Sequence, residues 1–178
     1  MRVVPAEKEK VQKIFGVQNP WPQEYEDKAK MVNYMEALHR INNCLGICHF
    51  NTIHGDWDQM DLPHLAALYS AATGWDVSVE DLRRRAMKQA HLEKAFNLRH
   101  TAFDRKDDLP APRDLLEPIP DGDLAGWKID EEKYGQMLDE YYDLHGWDRE
   151  TSFPKRETLL AAGLGDVALD LEKSGKLR

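Results

Sequence analysis

Between Ala29 and Leu45 the apolar residues Ala29, Val32, Met35, Leu38, Ile41 and Leu45 recur at spacings of three and four. That period puts them on one face of an α-helix, predicted from about Glu24 to Cys44, which must bury the stripe against other elements. No segment of the chain alternates with period two for long enough to be a strand, so the partners are other helices. Asn42 and Asn43 are weak helix formers, and Gly46 can take the left-handed conformation past the helix end. The chemically densest stretch of the chain lies at this helix end, Asn43-Cys44-Leu45-Gly46-Ile47-Cys48-His49-Phe50, with His54, Gly55 and Asp56 close behind. Soft ligands where a helix gives way to a loop are where a metal or cofactor contact is expected, because helix ends leave backbone groups free. Residue chemistry alone favours packing for Cys44 and leaves packing and ligation both open for Cys48.

The rest of the chain reads in the same period. Ala6 to Phe15 is a short helix stopped by Gly16, and Pro20-Trp21-Pro22 forces an extended path whose Trp docks on the domain surface. Asn51 to Gln59 is loop. Asp61 caps a helix with Pro63 in its first turn, and Thr73-Gly74 closes it. Ser78 to Asp81 has the form of a capping box before a helix from Val79 to about His100, with Leu82, Ala86, Ala90 and Phe96 along one side. Phe103 to Gly126 is proline-rich and charged and is read as a long ordered connection with no regular element. Asp130 caps Glu131 to His145, where Tyr134, Met137, Leu138, Tyr141 and Tyr142 are available for packing. A last helix begins near Arg156 with Leu159 and Leu160 inward, and Val167 to Lys173 adds a turn or two. The fold class is all-α, an irregular bundle of about six helices with one long Pro-rich connection. The division expected is residues 1–27 as an N-terminal helix and linker and 28–178 as a helical domain.

The net charge of −8, from 24 basic and 32 acidic residues, is spread along the chain. It argues against nucleic acid as the main partner, which needs a basic surface. The run Arg83-Arg84-Arg85 fans over more than half a helix turn and is read as a solvated face. No run of about 18 apolar residues exists to span a membrane, Met1 to Lys10 has no signal-peptide core, and two cysteines make no disulfide framework. The default compartment is a reducing cytoplasm.

Taken together, four local patterns resemble the C-terminal part of the tungsten-dependent aldehyde ferredoxin oxidoreductase family. Asn43 to Cys48 is similar to its Asp-x-x-Gly-Leu-Cys motif, with Asn43 for Asp and Ile47 for Leu. Tyr69-Ser70-Ala71-Ala72-Thr73-Gly74 is similar to Tyr-x-x-x-Thr-Gly. Leu92-Glu93-Lys94-Ala95-Phe96-Asn97-Leu98-Arg99 and Arg105-Lys106-Asp107-Asp108-Leu109-Pro110 resemble the Leu-Glu-Arg-Ala-Phe-Asn-x-Arg and Arg-x-Asp-Asp-x-Leu-Pro stretch. Tyr141-Tyr142-Asp143-Leu144-His145-Gly146-Trp147-Asp148 resembles Tyr-Tyr-x-x-Arg-Gly-Trp-Asp. The matches run in family order across about residues 28 to 165. The resemblance implies a cytoplasmic enzyme of anaerobes that oxidises an aldehyde to a carboxylate and passes two electrons to ferredoxin. It implies a tungsten (or molybdenum) bis-pterin and a [4Fe-4S] cluster, with Cys48 as the fourth cluster ligand and Asn43, Gly46 and Ile47 as the loop on the pterin side. A thiolate suits iron–sulfur and helix-end amides suit a phosphate-bearing heterocycle.

Several features depart from the family pattern. Asn43 lacks the carboxylate's charge, Thr101 stands for Gly and His145 for Arg. The Cys-x-x-Cys-x-x-x-Cys that supplies the other cluster ligands is missing from the sequence. One cysteine cannot hold a cluster that needs four ligands. The expectation is therefore a fragment or subunit that is inactive alone, carries no cofactor in isolation, and works with the remaining domains of the same enzyme; exposed apolar surface could also pair two copies as a homodimer. Two rival readings are a small zinc-binding interaction module built from Cys44, Cys48, His49 and His54, whose spacing is not a usual finger pattern, and a non-catalytic helical partner domain. His49, His54 and Asp56 are read as solvated loop residues, with a role beside the metal or along a substrate channel as the second reading.

Overall fold

The computed structural model describes residues 7–21 and 24–177; the expected helix start at Ala6 and the second proline of Pro20-Trp21-Pro22 lie outside them. Eight α-helices and no strand are found among the described residues, only two isolated bridges, Thr52–Met60 and Trp147–Pro154. The helices are α1 (Lys8–Phe15), α2 (Lys28–Leu45), α3 (Leu62–Thr73), α4 (Val79–His100), α5 (Pro112–Leu116), α6 (Glu131–His145), α7 (Arg156–Ala161) and α8 (Gly165–Lys173). The all-α expectation holds, and the caps are those read from sequence. Asp61 and Ser78 each accept from the backbone N–H three residues on, and in each case that residue's side chain bonds back.

α2 starts at Lys28, later than the start expected near Glu24, because Asp27 is used otherwise. Its backbone is left-handed at φ 62°, and its carboxylate accepts from the N–H groups of Gln18 and Asn19 while pairing with Lys30 at 2.8 Å. These bonds tie the incoming chain to the helix start. Those amides and Lys30 outweigh burial and hold the Asp27 carboxyl below the ordinary carboxylate range, with the Lys30 hydrogen bond the largest contribution.

A main core joins α1 to α4 through Val11, Phe15, Leu38, Ile41, Leu62, Leu65 and Leu82, and Trp21 packs against it. A second joins the C-terminal half of α4 to α7 and α8 through Ala95, Leu98, Leu159, Ala168 and Leu171. A third gathers Leu138, Tyr142 and Trp147 around α6. With 22 residues, α4 extends about 33 Å, long enough to serve both of the first two.

Five sequence expectations are corrected. Phe96 and Leu160 point to solvent, and Ala95 and Leu98, and Leu159 alone, take the inward positions. Val32 is exposed beside an open cavity. Arg83 is not simply solvated: it donates to Asn33 Oδ1 at 3.0 Å and lies over the Tyr34 ring. The connection after α4 is not without regular structure, since it contains a 3-10 turn at Arg105–Asp108 and helix α5. Its anchor is Arg105, which donates to Asp139 and to the carbonyls of Gly135 and Arg149. Asp108 accepts from the Tyr142 hydroxyl at 2.7 Å and from Lys94.

Candidate functional site

The stretch after α2 is shaped by its helix end. Gly46 adopts φ 70°, its N–H reaches the Asn43 carbonyl, and the Ile47 N–H reaches the Asn42 carbonyl at 2.9 Å. This pair of bonds forms a Schellman turn, and Ile47 completes it by packing against the main core. Asn43, Gly46 and Cys48 are left exposed on the outside of the turn. Cys48 stands at the entry of a 3-10 turn, His49–Asn51. Cys44 does not pack inside as expected; it too is a free, exposed thiol, and it donates to Gln89 Oε1 at 3.3 Å.

Asn51 to Gln59 is far from a solvated loop. Ile53 and Trp57 belong to the main core, and Trp57 meets Phe15 edge to face at 5.7 Å. The Thr52 hydroxyl donates to the His49 carbonyl at 2.7 Å, and the Gly55 N–H to the Thr52 carbonyl at 2.8 Å. A Cβ on Gly55 would stand 2.7 Å from the Phe50 carbonyl oxygen, so only glycine lets the loop close this tightly. Held from both sides, His54 is half-buried rather than free in solvent.

Closure of the loop brings three imidazoles together. His39, from the middle of α2, stacks on His49 with centroids 4.1 Å apart and planes 8° from parallel, and His54 meets His49 edge-on at 5.1 Å. His39 escaped the sequence reading. The available signal was its place one turn before Asn43, which puts the two on one face of α2. His39, Asn43 and His54 line one end of an open cavity of about 700 Å³ that continues past Met31, Val32 and Met35. Neither cysteine joins the histidines: among the described residues, the one group of three or more potential metal ligands is His39, His49 and His54. The Cys44, Cys48, His49, His54 zinc set is therefore not assembled.

In the wall of the cavity, Glu36 ties α2 to α6. Its carboxylate accepts from the Tyr141 hydroxyl at 2.9 Å, lies 3.1 Å from His145 Nε2, and faces Arg40, which also pairs with Glu93. Burial pushes the Glu36 carboxyl up, but the hydrogen bond and charge of His145, the Tyr141 hydroxyl and Arg40 outweigh it and hold the group below its ordinary value. Burial and the same carboxylate push the Tyr141 phenol up.

Residues 3–164 match the family model "Aldehyde ferredoxin oxidoreductase, domains 2 & 3". The chain is 32% identical over 133 residues to a tungsten-containing aldehyde ferredoxin oxidoreductase of Pyrococcus furiosus, covering 74% of this chain and 20% of the relative. It is likewise 32% identical over 140 residues to that of Pyrococcus abyssi, covering 78% and 21%. The backbone superposes, at TM-score 0.67 and 26% identity, on a chain of the active-site complex BamBC of benzoyl coenzyme A reductase in complex with 1,5-dienoyl-CoA, covering 97% of this chain and 25% of that one. The chain thus spans about a fifth of the length of these curated relatives, and it belongs to the aldehyde ferredoxin oxidoreductase family, in the region of domains 2 and 3.

Proposed function

We propose that this chain is the helical part of a tungstopterin and iron–sulfur oxidoreductase of the aldehyde ferredoxin oxidoreductase type, which turns aldehyde into carboxylate and sends the electrons to ferredoxin. In that reading Cys48 is one ligand of a [4Fe-4S] cluster whose other ligands come from the remaining domains, and Asn43, Gly46 and Ile47 form the loop that meets a pterin. The observation that carries it is the turn itself. Cys48 stands exposed on backbone fixed by a Schellman motif, and two residues on Phe50 is 79% exposed. An exposed thiol on an ordered turn, flanked by exposed apolar surface, fits a group whose other side belongs to another domain.

When bound, the tungsten centre supplies the two-electron chemistry and the cluster the electron exit. This chain's own residues position and enclose. The Asn43 amide offers a carbonyl and an NH₂ to the pterin edge where a carboxylate would offer charge. Glu36, Arg40 and Glu93 set the polarity of the cavity wall below it. The 97% coverage by a chain of the benzoyl coenzyme A reductase complex favours a second reading at the level of substrate alone, an acyl thioester in place of an aldehyde.

The test is iron content. In the assembled enzyme, Cys48→Ala should lose the cluster absorbance and about four iron atoms, and Cys44→Ala should keep both. Equal loss in the two variants, or loss only with Cys44→Ala, refutes the assignment.

A further inference from the structure

We propose that His39, His49 and His54 form a binding site for a divalent first-row transition metal, zinc in the first instance, separate from the cluster ligand Cys48. One potential ligand nitrogen from each residue lies within 4.8 Å of the other two. Tetrahedral metal–nitrogen bonds of about 2.0–2.1 Å put ligand nitrogens roughly 3.4 Å apart, so the spacing suits one ion once a ring rotation opens the parallel His39–His49 stack and turns both lone pairs onto it. The donor set, three imidazoles, suits zinc, copper and nickel over magnesium or calcium.

Three further observations point to a ligand. His54 Nε2 is buried and has no hydrogen-bond partner, an uncompensated group that a metal bond would satisfy. The three rings converge from two separately anchored elements, the middle of α2 and the loop sealed by Thr52, Gly55 and Ile53. The cluster opens on the 700 Å³ cavity, which leaves a coordination position to water or a small ligand, the arrangement of reactive rather than closed structural zinc sites.

Behind the site stands Asn42, fully buried, 3.1 Å from His49 Nδ1 and 3.2 Å from the Thr52 hydroxyl. Its Oδ1 is buried without a partner. Its Nδ2 donates to the Thr52 hydroxyl oxygen and lies against His49 Nδ1, which fixes where the His49 ring sits on the loop. Asn42 is thus a positioning residue. The site does not depend on the oxidoreductase reading, since it uses no cysteine and no second domain.

The experiment is titration of the metal-free 178-residue chain with Zn²⁺ by calorimetry and with Co²⁺ by absorbance. The expected result is one ion per chain, a Co²⁺ spectrum without thiolate charge-transfer bands, and affinity weakened by at least about ten-fold in each of His39→Gln, His49→Gln and His54→Gln. Cys44→Ser and Cys48→Ser should bind as the unaltered chain does. Circular dichroism identifies any variant that fails to fold, and exposed His39 is the safest of the three to replace. Absence of stoichiometric binding, binding indifferent to His39→Gln, or loss of binding in Cys48→Ser would each overturn the proposal. The last outcome would restore the mixed Cys/His zinc module without touching the iron test of Cys48.

Discussion

His91 lies 5% exposed on the inner face of α4, and its Nδ1 accepts from Trp147 Nε1 at 3.1 Å. The bond requires an unprotonated Nδ1, and burial, followed by the charges of His145 and Arg40, pushes the imidazole down to about 4. The unfolded chain titrates near 6.5, so between those values the unfolded state binds more protons and stability falls as pH falls. The contribution is complete above about 6.5 and gone near 4, at most about 3 kcal/mol by the same linkage. His91→Gln offers Trp147 an acceptor that does not titrate. Urea midpoints measured from pH 7 to pH 4 should decline less steeply in this variant than in the unaltered chain. Parallel declines would show that His91 is not the acid-sensitive group.

At the scale of elements, the α2–α6 junction depends on one carboxylate. Glu36 serves Tyr141, His145 and Arg40 together, and the His145 side chain is fully buried. Glu36→Ala leaves the buried His145 Nε2 and the half-buried Tyr141 hydroxyl without their partner and should cost about 3 kcal/mol, whereas Glu36→Gln keeps an acceptor for Tyr141 and should cost about half that. Equal losses in chemical denaturation would mean that the carboxylate's charge, not its acceptor, holds the junction. This junction also marks where sequence reading stops. Helix ends were legible because caps are local: Asp61, Ser78, Asp130 and Gly46 each act within four residues of themselves. Glu36 pairs with residues more than 100 positions away, and no period within α2 announces that. Cys48 and its turn were legible for the same local reason as the caps. The histidine cluster was not, because His39 and His54 meet only after Ile53 and Trp57 enter the core, which a polar-looking loop conceals. Phe96 and Val32 misled because apolar character marks a surface to be covered without naming what covers it.

At the scale of the whole molecule, the chain carries two free thiols on the same exposed turn region and spans about a fifth of its relatives. The two thiols separate ligation from simple coverage. In the isolated chain a maleimide should modify both Cys44 and Cys48, since neither is buried. On the proposed reading, Cys48 in the assembled enzyme would be a thiolate bonded to iron and should resist modification, whatever happens at Cys44. Coverage by a neighbouring domain protects a thiol as well, so the decisive step is removal of iron by an oxidant and chelator under conditions that leave the fold intact by circular dichroism. Cys48 should then become reactive, while the reactivity of Cys44 stays as it was. If Cys48 is unreactive both with iron and without it, the neighbouring domain shields it and the cluster is held by other ligands. If it reacts freely before iron is removed, it faces neither, and the turn at Gly46 serves the pterin loop alone.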